Sequence, residues 1–171
     1  MDLINHQFGE IANLAQGLLQ GTQLDAAANP GLWISMRDYF KAVVLIETSG
    51  GTSADDLVIS VIQATSNSGG SSKALSSISR WYMMQASTLN QSAGGIYTLT
   101  TQTLGSSFTA TGSAGQQSLI FCEIDSTYLD ATDGFYFVQA SIAQTAHSAL
   151  GQMKYLLFTR HPQSVPVSPL S

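Results

Sequence analysis

Three histidines, a scatter of acids and one cysteine are the residues of this 171-residue chain best suited to chemistry. A metal site needs imidazoles that converge with a carboxylate. His6, His147 and His161 lie in three separate peripheral segments, which favours satisfied or exposed histidines. Among the acids, Asp55 and Asp56 precede a strand, and Asp125, Asp130 and Asp133 surround the loop 126–134. Paired carboxylates do acid–base work or bind calcium. Here Tyr128 and Leu129 stand where an EF-hand needs ligands, so these aspartates read as turn caps that bind nearby backbone amides. Cys122 sits within an apolar run and reads as a small buried hydrophobe of raised pKa. A single cysteine excludes an internal disulfide and any multi-cysteine zinc site. No Gly-x-Ser-x-Gly elbow and no Gly-Lys-Ser/Thr loop occurs, and the glycine pairs at 50–51, 69–70 and 94–95 read as turns. Trp33, Trp81, Tyr82 and Tyr97 offer rings for sugar stacking, although tryptophans in a β-rich chain more often anchor a core or an interface. The expectation is no catalytic residue, no metal, no cofactor and no enzymatic activity.

The elements that must position these residues follow from composition and pattern. Hydrophobic residues make up 44% of the chain, enough for a real core, while charged residues make up only 10%, against roughly 25% in an average soluble domain. Six basic residues against eleven acidic ones leave net charge −5, too few cations for a phosphate-tracking groove. Nucleic acid is therefore not an expected partner. No apolar run reaches the roughly 18 residues of a membrane span, so no membrane is expected either. The start Met-Asp-Leu-Ile-Asn-His lacks a basic n-region and an apolar h-region, which points to synthesis in a cytoplasm.

Residues 3–20 carry a helix-like pattern: Leu3, Ile4, Phe8, Ile11, Leu14, Ala15, Leu18 and Leu19 recur at spacings of three and four. The spacing predicts a short amphipathic helix within an arm and linker over 1–31. Its apolar stripe must be buried on its own domain or on a neighbouring subunit. From Leu32 the period changes. Runs at 32–36, 39–47, 57–64, 96–103, 108–111, 118–124, 135–142 and 152–160 are rich in β-branched and aromatic residues, with Gly/Ser turns between them. The stretch 74–86 is ambiguous between helix and strand. With no helical crossovers, residues 32–160 read as an all-β antiparallel domain, a sandwich or jelly-roll-like barrel. Residues 161–171 hold three of the four prolines, Pro162, Pro166 and Pro169, and read as an extended tail along a surface. Sheets leave edges that soluble proteins guard with lysine, proline or bulges. The lysines here are only Lys41, Lys73 and Lys154, a hint that neighbours cover some of the surface.

The run from Trp33 through Tyr39-Phe40-Lys41 to Ile46 resembles a pattern of small virion proteins of tailed phages. So do Leu57–Ala64 with the Gly/Ser turn before Lys73, the strand Ile120–Asp125, the Leu129-Asp130 pair, the strand Gly134–Val138 and the proline-marked tail. The resemblance covers residues 30–165 by pattern rather than by a diagnostic motif. It implies a structural virion component of the head decoration or cement type, seated on the outer capsid surface. Its implied partners are the major capsid protein and further copies of itself, as a trimer or dimer bridging capsomers. No catalytic residue carries over. Chosen by chemistry, the interface candidates are Leu3, Ile4, Phe8, Ile11 and Leu14 in the arm, Trp33 and Trp81, and Pro162 and Pro166 in the tail. The rival readings are a phage tail subunit and a β-sandwich carbohydrate-binding module.

Overall fold

Tyr39–Thr48, Leu57–Ala64, Gln117–Asp125 and Leu150–Thr159 are rich in β-branched and aromatic residues and bury every second side chain, as the period of two of a strand requires. The structure is a computed structural model and describes residues 11–24, 27–49, 56–86, 96–113, 115–144, 149–161 and 168–170. Among these residues the strands are, in chain order, β1 (Ala12–Gln23), β2 (Asn29–Pro30), β3 (Ile34–Ser35), β4 (Tyr39–Thr48), β5 (Leu57–Ala64) and β6 (Lys73–Ala74). They continue with β7 (Ile78–Ala86), β8 (Thr98–Gly105), β9 (Ser107–Ala110), β10 (Gln117–Asp125), β11 (Phe137–Gln144) and β12 (Leu150–Thr159). Two short 3-10 turns, Ser126–Tyr128 and Ala131–Asp133, separate β10 from β11.

The fold is an all-β antiparallel sandwich of two six-stranded sheets. The first runs β1-β12-β4-β10-β7-β8. The second centres on β11 and β5, with β2 and β3 along the free side of β11 and β6 and β9 along the free side of β5. The chain crosses between sheets at Gly105–Ser106, where β8 of the first sheet gives way to β9 of the second. Val44 and Ile46, Ile120 and Cys122, and Met153 and Tyr155 point inward from the first sheet. They meet Ile59, Val61, Val138 and Ile142 of the second. Trp81 stacks on Phe108 at 4.5 Å between ring centroids, sealing the flank where the chain changes sheets.

The segment expected as a helical arm is, from Ala12 onward, the edge strand β1, paired antiparallel with β12. Two register shifts, between Gln16 and Leu18 and between Leu18 and Thr22, interrupt the pairing. Ala12, opposite outward Phe158, and Ala15, opposite inward Tyr155, are both buried although they lie on opposite faces of the strand, and this spacing mimics a helical stripe even before the first shift. Gly17 packs directly on Met153, and Gly21 takes φ +79° at the second irregularity. The expected boundary at residue 31 is crossed by this pairing, because β1 belongs to the main sheet. Residues 1–10 of the expected arm lie outside the described residues. The ambiguous stretch 74–86 resolves as the end of β6 followed by β7.

Candidate interaction surface

The residues with chemical potential are dispersed. His161 is exposed, while His6 and His147 lie outside the described residues. Among the described residues no three His, Cys, Asp or Glu side chains group as a metal site would require. Asp125 caps the first 3-10 turn, accepting from the Thr127 backbone N–H at 2.9 Å and its hydroxyl at 2.8 Å. Asp130 accepts from Lys73, and that bond is the main cause of a carboxyl pKa below the usual range. Asp56 accepts from the Gly112 amide at 3.3 Å, while Asp55 lies outside the described residues. Asp125 therefore caps a turn, as its setting in the sequence suggested, whereas Asp130 makes no side-chain cap bond and pairs with Lys73 instead. Cys122 is fully enclosed, and burial pushes its thiol up to about 12. A polar cleft near the start of β7 is lined by Lys41, Ser77, Arg80, Glu123, Asp125 and Tyr128. There Glu123 pairs with Lys41 at 3.2 Å and with Arg80 at 3.4 Å.

The outer face of the six-stranded sheet β1-β12-β4-β10-β7-β8 is the largest feature that a sandwich core does not explain. Because inward side chains alternate with outward ones, the register places Leu14, Leu156 and Val43 side by side across β1, β12 and β4. In the adjacent row Leu45, Phe121, Tyr82 and Leu99 continue across β4, β10, β7 and β8. Leu119 and Met84 form a third apolar pair. Tyr82 stacks on Phe121 at 4.8 Å, and Tyr97 meets the edge of that ring at 5.2 Å. A solvent face should alternate polar against the buried set. This one instead presents an apolar band across the sheet, with Leu14 58% and Leu99 50% exposed at its two ends. Lys41, Lys154 and Arg80 interleave with Glu47, Glu123 and Asp125 around the band, so the face carries equal numbers of cations and anions. That is half of the chain's six basic residues on a molecule of net charge −5. Apolar bands with balanced charged margins are what protein–protein contacts use.

No protein-family model matches the chain, and no curated protein matches it. Among solved structures it is similar to the SPBc2 prophage-derived protein YomS, with 13% identity, a TM-score of 0.42, and coverage of 87% of this chain and 96% of that one. It is also similar to a family two carbohydrate esterase from Cellvibrio japonicus, with 8% identity and a TM-score of 0.23. That match covers 91% of this chain and 36% of the esterase.

Of the expected interface residues, Leu14 lies on the outer face and Ile11 is half-buried, its carbonyl accepting from the Thr159 hydroxyl. Trp33 is half-buried, and its indole leaves no room for a side chain on Gly69. Trp81 is 7% exposed and stacked in the core. The inward face of β7 carries Trp81 onto Phe108, so within this chain it anchors the core rather than the surface named for it among the interface candidates. Leu3, Ile4, Phe8, Pro162 and Pro166 lie outside the described residues. The tail residues that are described return to this chain: Pro169 accepts from the Ser35 amide at 2.6 Å, and Leu170 from Asn67 at 3.3 Å.

The outer-face residues Val43, Leu45, Leu119, Phe121 and Leu156 escaped the sequence reading because each lies in a strand whose alternate residues are also apolar. A second signal was present. From Trp81 to Cys122 the chain contains no Asp, Glu, Lys, Arg or His. That run supplies most of β7, all of β8 and β9 and most of β10, and Arg80 at the start of β7 is the nearest cation to it.

Proposed function

We propose that this chain is a structural virion protein, a capsid decoration or cement protein that adheres to the outer surface of a phage head through the outer face of its six-stranded sheet and bridges neighbouring capsomers. The observation that carries the reading is the apolar band of that face with its charge-balanced margin. Burying such a band releases about 25 cal/mol for each Å² of apolar surface. A standard contact of roughly 1,200 to 2,000 Å² is enough for stable association. The resemblance of Trp33–Ile46 and of the later strands to tailed-phage virion proteins points the same way. On this reading the chain has no catalytic task, needs no cofactor, is made in the host cytoplasm, and acts as a passive clamp on the major capsid protein.

The test is retention on purified heads. Val43→Lys and Leu156→Lys place a charge in the middle of the band without entering the core. Each is expected to lower retention by about tenfold or more while leaving the melting temperature within a few degrees, since central apolar anchors dominate contact energies. Unchanged retention with both variants would remove this face from the mechanism. Finding the wild-type protein on tails after particle fractionation would favour the tail-subunit reading. A second reading rests on the ring cluster Tyr82–Phe121–Tyr97, whose exposed side offers stacking surface to a sugar. Glycan-array binding that is lost in Tyr82→Ala would support that carbohydrate-binding role.

A further inference from the structure

We propose that two copies of this chain pair edge to edge through β8, antiparallel across a two-fold axis, so that two six-stranded sheets become one continuous sheet. The proposal rests on the reading of the chain as an assembling building block, but not on which shell it joins.

A sheet edge offers unpaired backbone N–H and C=O groups to any passing strand, and soluble proteins guard edges by shortness, bulges, lysine, proline or cover. Along β1 the two register shifts break the edge, and the Leu32 amide donates to the Gly17 carbonyl at 3.1 Å. In the second sheet β2 is two residues long and ends in Pro30, and the Ser35 amide of β3 is bonded to Pro169. On the other side β6 is two residues long and carries Lys73, and β9 has four residues.

The β8 strand has one of these guards, an irregularity between Thr101 and Gly105 opposite Arg80 and Ile78 of β7, and lacks the others. It is eight residues long, Thr-Leu-Thr-Thr-Gln-Thr-Leu-Gly, without lysine, proline or any charge. It pairs with β7 on one side, and on the other it has no strand partner among the described residues. Its irregularity with β7 falls between Ile78 and Arg80, so Thr98–Thr101 run in regular register. Threonine and leucine suit a paired strand better than a solvated one, yet Leu99 and Leu104 are 50% and 43% exposed.

A second copy fits this edge for two reasons. First, a two-fold contact is self-complementary: residue i meets residue j and j meets i, so a charge close to the axis meets its own copy. The charge-free run from Trp81 to Cys122 lowers that penalty along β8, where the adjoining cation, Arg80 opposite Thr101, is paired with Glu123, in a chain whose net charge is −5. Second, threonines opposite threonines are a favourable cross-strand pairing, and main-chain bonds between edges supply affinity without a side-chain pocket. The product aligns the apolar outer faces of both copies on one side of the joined sheet. A docking face doubled in this way engages two sites at once, and avidity multiplies modest contacts.

The full-length protein, free of virus particles, is examined by analytical ultracentrifugation. A reversible dimer is expected. The double variant Leu99→Lys/Thr101→Lys should raise its dissociation constant by about tenfold or more, because like charges across the axis are costly, with the circular dichroism spectrum unchanged. In parallel, Leu99→Cys, Thr101→Cys and Thr103→Cys are oxidised singly, against the native background of buried Cys122. At least one should form a disulfide-linked dimer, and Leu19→Cys on β1 should not. A protein that stays monomeric at all soluble concentrations, or a dimer unaffected by the lysine pair and linked only through Leu19→Cys, overturns the proposal. A β8 dimer that ignores heads refutes the head-binding function and leaves the pairing standing. A monomer that binds heads does the reverse.

Discussion

At the scale of single residues, Tyr155 shows how the sandwich is closed. It is fully buried on β12, and its hydroxyl accepts from the Ala140 amide at 2.8 Å, between the short strands β2 and β3 that pair with β11. The ring thus supplies a partner that the interrupted edge does not. Gly31 stands at the same place, and a Cβ there would come within 2.3 Å of Met153 Cε and 2.9 Å of the Tyr155 hydroxyl. Tyr155→Phe strands a buried N–H and is expected to cost about 1–3 kcal/mol in urea denaturation. Cys122 makes a different prediction. Its thiol should stay unlabelled by a maleimide in native buffer at neutral pH and react fully in urea. Burial raises its pKa from 9.0 to about 12, so above pH 9 the unfolded chain loses this proton while the folded chain keeps it. The stabilisation is intact below pH 9 and fades as the pH climbs toward 12. Tyr39 and Tyr155, raised chiefly by desolvation, act in the same direction at higher pH. Urea midpoints should therefore fall between pH 8 and pH 11, and Cys122→Val should lessen the fall.

At the scale of elements, β1 is the most informative strand. Replacing Gly17 by valine would set a side chain 2.9 Å from Met153 Cγ and 3.0 Å from its carbonyl oxygen. A close backbone approach of this kind cannot relax cheaply, so Gly17→Val is expected to cost about 1–3 kcal/mol in thermal or chemical melts. At Gly21 there is open space and φ +79°, so Gly21→Ala tests backbone conformation alone and should cost about 1 kcal/mol. Deleting residues 1–23 would not trim an arm. It would strip the edge from β12, and the product should aggregate or melt early. The same strand shows where sequence reading fails. The central strands β4, β5, β10, β11 and β12 were legible to within about two residues, because a regular ladder keeps its buried set at a period of two. In β1 apolar residues occupy both faces, Ala12 opposite outward Phe158 and Ala15 opposite inward Tyr155, and the resulting spacings of three and four imitated a helix. Trp81 was legible as a large anchor but not as an inward one, since the direction of β7 side chains depends on a register with β10, from which β8 and β9 separate it in the chain. The interaction face was hidden for a related reason: strands apolar on both sides read as central strands of a core, and only the strand order shows that one of their faces has no third layer over it among the described residues.

For the whole molecule the decisive quantity is the distribution of charge rather than its sum. A net charge of −5 suggests a particle that meets partners by electrostatic complementarity. The sandwich places its three outer-face cations beside three acids and leaves the flank from Trp81 to Cys122 without any charge. Among the described residues away from that face, Asp38, Asp56, Asp130 and Asp133 stand against Arg37, Lys73 and Arg160. Docking by the outer face should then depend little on salt. Raising sodium chloride from about 0.1 to 1 M shortens the screening length from about 10 to 3 Å, which abolishes steering between exposed charges. Apolar burial persists under those conditions and is strengthened by sulfate. Retention on heads is expected to change by less than about twofold across that range, and to rise in ammonium sulfate, as read by co-sedimentation. Release by sodium chloride would instead place the contact on the acidic remainder of the surface, with a basic partner. In that case the apolar band would have no part in head binding, while the β8 pairing, which uses the strand edge rather than the band, would stand unchanged.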